Sequence, residues 1–223
     1  MLVLDVGMIG YWKAYRFQEE LVRRKIAGDP RDYLLLLEHP PVYTIGRGGD
    51  AVNLPRCRIP IFRVNRGGGV TYHGPSQLVG YPIIDLRRDG RDIHLYIRKL
   101  EEVLVRTLAD FGLPAAARSG LTGIWTGRGK IASIGIGVKK WITMHGFALN
   151  VDCNLSHFSH IIPCGLKDVE MTTMERELGY KICMEEVKAT LARHLENTLI
   201  GSRSGPPAVR PTRGLREFSK ITD

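Results

Sequence analysis

Residues 130–151 read KIASIGIGVKKWITMHGFALNV, and this stretch decides the fold class. Lys130–Val138 and Trp141–Val151 are two strand-like apolar runs, and Lys139-Lys140 stands where a hairpin turn is expected. A further short strand, Gly123–Thr126, precedes them. Strands that follow one another this closely along the chain can pair antiparallel through short turns. The sequence therefore predicts an antiparallel sheet around these residues.

The rest of the chain combines further strand-like runs with helical segments. Strand-like runs occupy Leu2–Val6, Tyr33–Leu37, Val42–Ile45, Ile59–Val64 and Leu78–Leu86. Helical patterns cover residues 11–26, Asp92–Phe111 and Met184–Leu199. This pattern predicts the α+β class, with a mixed, mainly antiparallel sheet flanked by helices.

The length of 223 residues suits one domain. We expect a single domain over residues 1–200 and a basic, flexible tail over residues 201–223. The tail holds five Arg or Lys residues and two acidic residues, which is +3 of the formal net charge of +9. The remaining +6 suits an acidic protein partner as well as nucleic acid. Aromatic residues interleaved with the charges, as nucleic-acid binding favours, are not evident.

Neither a membrane span nor a metal site is predicted. No apolar stretch approaches the roughly 20 residues that cross a bilayer, and the N-terminus lacks the basic region of a signal peptide. We therefore expect a cytoplasmic protein without membrane association. Of the four cysteines, no two are separated by two to four residues. That spacing predicts neither zinc nor a redox pair, and we expect no metal and no cofactor.

A glycine-rich run, RGGGVTYHGPSQ, occupies residues 66–77. Glycines allow positive φ and close approach to a ligand, so phosphate is the first candidate. A phosphate loop, however, carries Lys and Ser or Thr just before a helix, whereas Leu78 begins a strand-like run. A glycine bulge inside a sheet is the structural alternative. A bulge does not require Arg66, Tyr72, His73 or Gln77, so the presence of these side chains favours a binding role for the run.

Two residues outside this loop could carry chemistry. Cys164 lies between Pro163 and Gly165, an arrangement that suits a nucleophile at a tight turn and equally a small buried residue. A thiolate needs a nearby cation or base. Lys130 could be that cation in a partly dry site, or it could be a surface lysine at a strand end. His73 and His145 are alternative bases.

Five segments together resemble the octanoyltransferase family, also called lipoyl(octanoyl) transferases. They are Glu38–Arg47, Arg66–Gln77, Gly129–Gly135, His145–Asn150 and Pro163–Gly165, and they occur in the family's order. The resemblance implies a fold like the catalytic domain of biotin and lipoate protein ligases. Ser76 stands where the family usually has glycine, which would add strain if the position needs positive φ.

The resemblance also implies the site residues. Cys164 matches the nucleophile that carries the acyl thioester, and Lys130 matches the lysine that lowers the pKa of that thiol. The substrate-binding positions that match are Arg66, Gly67, Gly68, Gly69, Val70, Thr71, Tyr72, His73, Ser133, Ile134, Gly135, Gly146, Phe147 and Ala148.

The implied reaction transfers an octanoyl or lipoyl group from acyl carrier protein to a lysine of a lipoyl-carrier domain. Expected acceptors are the lipoyl domains of 2-oxoacid dehydrogenases and the glycine cleavage H protein. Thioester-to-amide transfer is downhill and needs no ATP. Competing interpretations are an ATP-dependent lipoate or biotin ligase, an amidotransferase that moves octanoyl between carrier domains, and a basic nucleic-acid-binding module.

Overall fold

The computed structural model describes residues 1–49, 58–161, 169–199 and 201, and the backbone of 209–211. The strands are β1 Leu2–Met8, β2 Tyr33–Glu38, β3 Val42–Ile45, β4 Ile61–Arg63, β5 Val70–His73, β6 Gln77–Ile83, β7 Ala116–Arg118, β8 Leu121–Trp125, β9 Lys130–Lys139, β10 Ile142–Asn150 and β11 Val209–Pro211. The helices are α1 Tyr11–Ile26, α2 Ile93–Asp110, α3 Met174–Leu178 and α4 Met184–Leu199. Short 3₁₀ turns cover Leu86–Arg88 and Leu155–His160.

Two sheets form the scaffold. The larger has the order β11-β1-β2-β6-β10-β9-β8-β7, and the smaller has the order β4-β3-β5. In the larger sheet the pairs β11–β1 and β1–β2 are parallel. The remaining pairs, from β2–β6 to β8–β7, are antiparallel. The prediction of an α+β fold with a mixed, mainly antiparallel sheet is confirmed.

Helices cover both faces of the larger sheet. On one face α2 and α4 pack over Leu34 and Leu36 of β2, and on the other α1 packs over Leu35 and Leu37. Neighbouring strand residues point to opposite faces, so the continuous apolar run of β2 is explained by burial on both sides. Helix α2 begins where the Asp92 carboxylate accepts a hydrogen bond from the Leu95 amide (2.8 Å).

Several elements differ from the sequence prediction. The run predicted to continue to Leu86 ends at Ile83, because the Asp85 carboxylate accepts from the Arg87 amide (3.0 Å) and caps a 3₁₀ turn. The glycine-rich run, predicted as a loop, contains strand β5. Val209–Pro211, inside the tail expected to be flexible, pair with β1. The other tail residues except Gly201 lie outside the described residues.

Strands β6 and β10 approach each other closely at two glycines. A Cβ on Gly80 would lie 2.1 Å from Cζ of Phe147, and a Cβ on Gly146 would lie 2.3 Å from the Gly80 carbonyl oxygen. Both distances are far below contact distance, so these positions require glycine. The close approach lets the Phe147 ring lie over Gly80.

Ser76 adopts the left-handed conformation, with φ of 61°. Its amide donates to the Glu38 carboxylate (2.7 Å), and its carbonyl accepts from the Asp152 amide (3.0 Å). These bonds hold the turn between β5 and β6 in a shape that costs a non-glycine residue roughly 1–2 kcal/mol.

Replacement of Ser76 by glycine should stabilise the fold. Relief of the left-handed strain exceeds the extra backbone entropy of glycine, so Ser76→Gly should raise the free energy of unfolding by about 0.5–1 kcal/mol. Ser76→Ala keeps the strain and should bring no gain. Denaturant unfolding of both variants checks this, and an equal gain in the alanine variant would contradict the strain argument.

Candidate active site

A cleft lies where the two sheets meet. Its walls are Ser133, Ile134 and Gly135 of β9, His145, Gly146, Phe147 and Ala148 of β10, Arg66 and Gly68, Thr71 and His73 of β5, Tyr11 of α1 and Tyr81 of β6. The cleft encloses about 450 Å³ including its open mouth.

Arg66 fixes the shape of the glycine-rich loop. Its Nη2 donates to the carbonyl oxygen (2.7 Å) and hydroxyl (2.8 Å) of Thr44 in β3, and its Nη1 donates to the Gly67 carbonyl (2.9 Å). The Gly67 amide donates to the Ile136 carbonyl of β9 (2.8 Å). The loop is therefore tied to both sheets. Arg66 also places a buried positive charge at the cleft.

Strand β5 divides the predicted binding run between two environments. Thr71 and His73 line the cleft. Val70 and Tyr72 pack away from it, in the hydrophobic cluster that contains Phe158. This is the two-residue alternation of a strand. Of the predicted binding residues, Gly67, Gly69, Val70 and Tyr72 are not among the residues that line the cleft, and the other ten are.

A buried chain of hydrogen bonds sets the tautomer of His73. The Thr172 carbonyl accepts from Asn150 Nδ2 (3.0 Å), so Asn150 Oδ1 accepts from Gln77 Nε2 (2.9 Å). Gln77 Oε1 then accepts from His73 Nδ1 (2.8 Å). Because burial above all lowers the pKa of His73 to about 3, the ring is neutral and its Nε2 is an acceptor.

His145 presents a second neutral imidazole. Its φ of 57° departs from strand geometry, and its amide donates to the Gln18 side chain (2.7 Å). Its Nε2 lies 2.7 Å from Asn65 Oδ1 and donates to it, which leaves Nδ1 as the acceptor. Burial, and then the charge of Arg66, lower the pKa of His145 to about 3.

His39 lies behind the cleft and supports it. Its Nδ1 donates to the Ile9 carbonyl (2.7 Å), so its Nε2 accepts from the Tyr81 hydroxyl (2.8 Å). Burial lowers the pKa of His39 to about 4 and raises the pKa of Tyr81 well above its usual value. Both rings are therefore uncharged at neutral pH.

Lys130 begins β9 and is buried, so the surface-lysine alternative is wrong. Its side chain is 1% exposed. Nζ donates to the Thr122 carbonyl (2.9 Å) and lies 5.4 Å from the centroid of the Trp125 ring. The Lys130 amide donates to the Glu170 carbonyl (2.8 Å). Lys130 is not among the residues that line the cleft, and Cys164 lies outside the described residues.

Some cleft residues were missed from the sequence. Tyr11, Tyr81 and the Arg66 partner Thr44 were not singled out, and His145 was named only as an alternative base. A tyrosine within the apolar residues 78–83 of strand β6 is the one local signal that could have indicated Tyr81. Among residues in the described ranges, no group of three or more His, Cys, Asp or Glu could hold a metal ion.

Family and fold comparisons agree on the class of protein. The model of the lipoyl protein ligase A/B catalytic domain matches residues 10–196. A putative lipoate protein ligase from T. acidophilum has the same fold, with a TM-score of 0.74 at 19% identity over 98% of this chain and 92% of that chain. Biotin protein ligase from Aquifex aeolicus superposes with a TM-score of 0.53 at 12% identity, over 90% of this chain and 69% of that chain. The class is the catalytic-domain fold shared by lipoate and biotin protein ligases.

Close relatives narrow the class. The octanoyltransferase of Geotalea uraniireducens is 51% identical over 89% of this chain and 93% of its own length. The octanoyltransferase of Syntrophotalea carbinolica is 49% identical over 89% of this chain and 94% of its own length. The chain belongs to the octanoyltransferase family, which are acyltransferases of protein lipoylation. In the part of the chain that is described, no helix has the length and apolar character to cross a membrane.

The neutral histidines should make the fold sensitive to moderate acid. His39, His73 and His145 have folded-state pKa values of about 4, 3 and 3, below the usual 6.5. Between pH 6.5 and 4 the unfolded chain therefore binds more protons, and stability falls as the pH falls. We expect the free energy of unfolding to fall by about 1–2 kcal/mol per histidine between pH 7 and pH 5.

Two variants test whether this loss of stability comes from the buried histidines. His145→Asn suits the left-handed backbone and removes one titrating group, so it should reduce the pH-dependent loss by about a third. His94→Asn, at an exposed position on α2, is the matched control for replacing a histidine at the surface. Urea unfolding at several pH values measures both. An unfolding free energy that stays constant from pH 7 to pH 5 would contradict the buried neutral state.

Proposed function

We propose that this chain transfers an octanoyl group from acyl carrier protein to a lysine of a lipoyl-carrier domain, through a thioester on Cys164. The chain's membership of the octanoyltransferase family supports octanoyl transfer. The carriers and the covalent intermediate are the parts that the proposal adds. A fold neighbour from T. acidophilum, a bipartite lipoate protein ligase, is described with its E2 lipoyl domain, which suits a lipoyl domain as acceptor.

The cleft suits an alkyl chain held beside a polar reacting group. Ile134, Phe147 and Ala148 supply apolar walls, and Gly135 and Gly146 keep the backbone close. At Gly135 a Cβ would lie 3.1 Å from the Gly67 carbonyl oxygen, so a larger residue would narrow the cleft. Burial of apolar surface is the main source of affinity for such a chain. The polar groups Arg66, Thr71 and His73 can then orient the acyl carbonyl.

The burial of the Lys130 side chain is the observation that carries the proposal. A cation in a dry environment favours a nearby thiolate strongly. Both ends of the segment that contains Cys164 are held in this part of the fold. Ile161 packs in the hydrophobic cluster with Tyr72, and the Glu170 carbonyl accepts from the Lys130 amide (2.8 Å). This placement supports Cys164 as the thiol that Lys130 serves.

The reaction balances without another reactant. The Cys164 thiolate attacks the octanoyl thioester, the carrier's C–S bond breaks, and the carrier thiol leaves with a proton from Lys130. The acceptor lysine amine then attacks the acyl-enzyme, an amide bond forms, and the Cys164 thiolate is released. The proton lost by the amine returns to Lys130. His73 Nε2 and His145 Nδ1 offer hydrogen-bond acceptors to the polar groups of the substrates.

Intact-protein mass spectrometry tests the covalent step. Incubation with octanoyl-acyl carrier protein should give one octanoyl adduct, which peptide mapping places on Cys164. Cys164→Ser should lose both the adduct and transfer, while Cys183→Ser and Cys153→Ser should keep both. Cys183 is exposed, and burial raises the pKa of the Cys153 thiol to about 12, so neither suits the role. Transfer that requires ATP would instead support a ligase.

Removal of the Lys130 charge tests its assignment. Lys130→Met keeps most of the buried side-chain volume and should slow acyl-enzyme formation by about 100-fold or more, the scale of a lost acid–base group. The pH of half-maximal alkylation of Cys164 by iodoacetamide should rise in the same variant. A thiol that is alkylated with an unchanged pH profile in Lys130→Met would show that Lys130 does not lower its pKa. Circular dichroism checks that the variant folds.

A further inference from the structure

A set of one exposed and two half-buried aromatic side chains lies beside the cleft. This aromatic patch consists of Trp12 and Tyr15 of α1 and Phe62 of β4. The Trp12 ring stacks on Tyr15 (centroids 5.3 Å apart, planes at 11°) and on Phe62 (6.2 Å, 15°). Trp12 is 52% exposed, and the neighbouring Ile61 is 37% exposed. Large apolar side chains grouped in this way on a surface mark interaction sites.

The patch forms part of the rim of the cleft. Phe62 stacks on Tyr11 (5.5 Å, 19°), and the Tyr15 ring lies 5.7 Å from the His145 ring. Tyr11 and His145 both line the cleft. A molecule resting on the patch is therefore one side chain away from the cleft lining, through Tyr11 on one side and His145 on the other.

Positive charge surrounds the patch. Lys13 and Arg16 of α1 and Arg63 of β4 are exposed, and in the described ranges they form no ion pair. Of the two glutamates on α1, Glu20 is bound by Arg23 and Arg24, with Arg24 Nε 2.7 Å from its carboxylate, and Glu19 is exposed and near enough to act on Tyr15. Three exposed cations against one exposed carboxylate leave an excess of positive charge, which favours an acidic partner.

We propose that the aromatic patch docks the acidic protein domain that presents the acceptor lysine. This inference rests on the proposed function. A lysine side chain has only four methylene groups, so its parent domain must touch the rim for the amine to reach an acyl group in the cleft. An acyl group on the longer prosthetic arm of a carrier protein can reach the cleft while its carrier sits farther away. Contact with the rim is therefore required of the acceptor, and the aromatic patch is the part of the rim whose exposed tryptophan and neighbouring cations suit an acidic domain.

A tryptophan at the centre of such a contact should dominate its energy. In Trp12→Ala the KM for the acceptor domain should rise by about 10-fold or more, while the rate of acyl-enzyme formation from octanoyl-acyl carrier protein stays within about twofold of the unmodified protein. Trp141→Ala is the matched control. Trp141 is also exposed, sits at the β9–β10 turn against Arg91, and belongs to neither the patch nor the cleft.

Charge reversal tests the electrostatic part. The double variant Lys13→Glu and Arg16→Glu should raise the acceptor KM and weaken its dependence on salt concentration. Lys139→Glu and Lys140→Glu make the same change in net charge on exposed lysines at the β9–β10 turn and should change neither quantity.

Direct binding separates this inference from the proposed function. Titration of a labelled apo-lipoyl domain into the protein measures docking without turnover, and Trp12→Ala should weaken it by about 10-fold. Failure of the unmodified protein to make octanoyl-lysine would overturn the function but leave this binding test intact. Slower acyl-enzyme formation with unchanged acceptor binding would assign the patch to the donor. A dimer that Trp12→Ala dissociates would assign it to a second copy of this chain. Either result overturns the proposal.

Discussion

The junction of the two sheets at Arg66 and Gly67 is the contact on which the cleft depends. The guanidinium of Arg66 is held by Thr44 of β3, and the Gly67 amide donates to the Ile136 carbonyl of β9 (2.8 Å). One residue thus binds the smaller sheet and the next binds the larger. At Gly46 a Cβ would lie 2.3 Å from the Gly68 carbonyl oxygen, so the glycines serve the packing of backbone on backbone. The loop therefore forms one wall of a cleft instead of a phosphate cradle.

This junction also determines the electrostatics of the site. Arg66 is buried at the cleft, and its charge contributes to the lowered pKa values of His73 and His145. The imidazoles stay neutral and keep one acceptor nitrogen each. With pKa values of about 3 the rings are weak bases, so their free nitrogens serve as hydrogen-bond acceptors in the cleft. The rings are neutral mainly because they are buried, and the nearby guanidinium of Arg66 lowers their pKa values further.

The sequence predicts local structure well where a single element carries its own signal. The bounds of β3 and α4 agree with the prediction, and α2 differs by one residue at each end, because periodicity and end signals lie within those segments. Strand β5 was missed because it is four residues long and lies between glycines. Tyr11, Thr44 and Tyr81 were missed because their roles arise from contacts between distant segments. Lys130 was found only as one of two alternatives, since its burial depends on Thr122 and Trp125 of a neighbouring strand.

In the proposed reaction a single cleft serves two carriers in turn, and a division of the surface follows from that proposal. The donor would leave before the acceptor arrives, so the apolar walls would hold the same octanoyl chain throughout and need not distinguish the two carriers. Discrimination must come from groups outside the walls that meet one carrier and not the other. Tyr11 and His145 belong to the cleft, and their ring contacts lead directly to Phe62 and Tyr15. The elements that shape the cleft therefore also place the aromatic patch at its rim, where, in the proposed reaction, a short lysine side chain would bring its domain into contact.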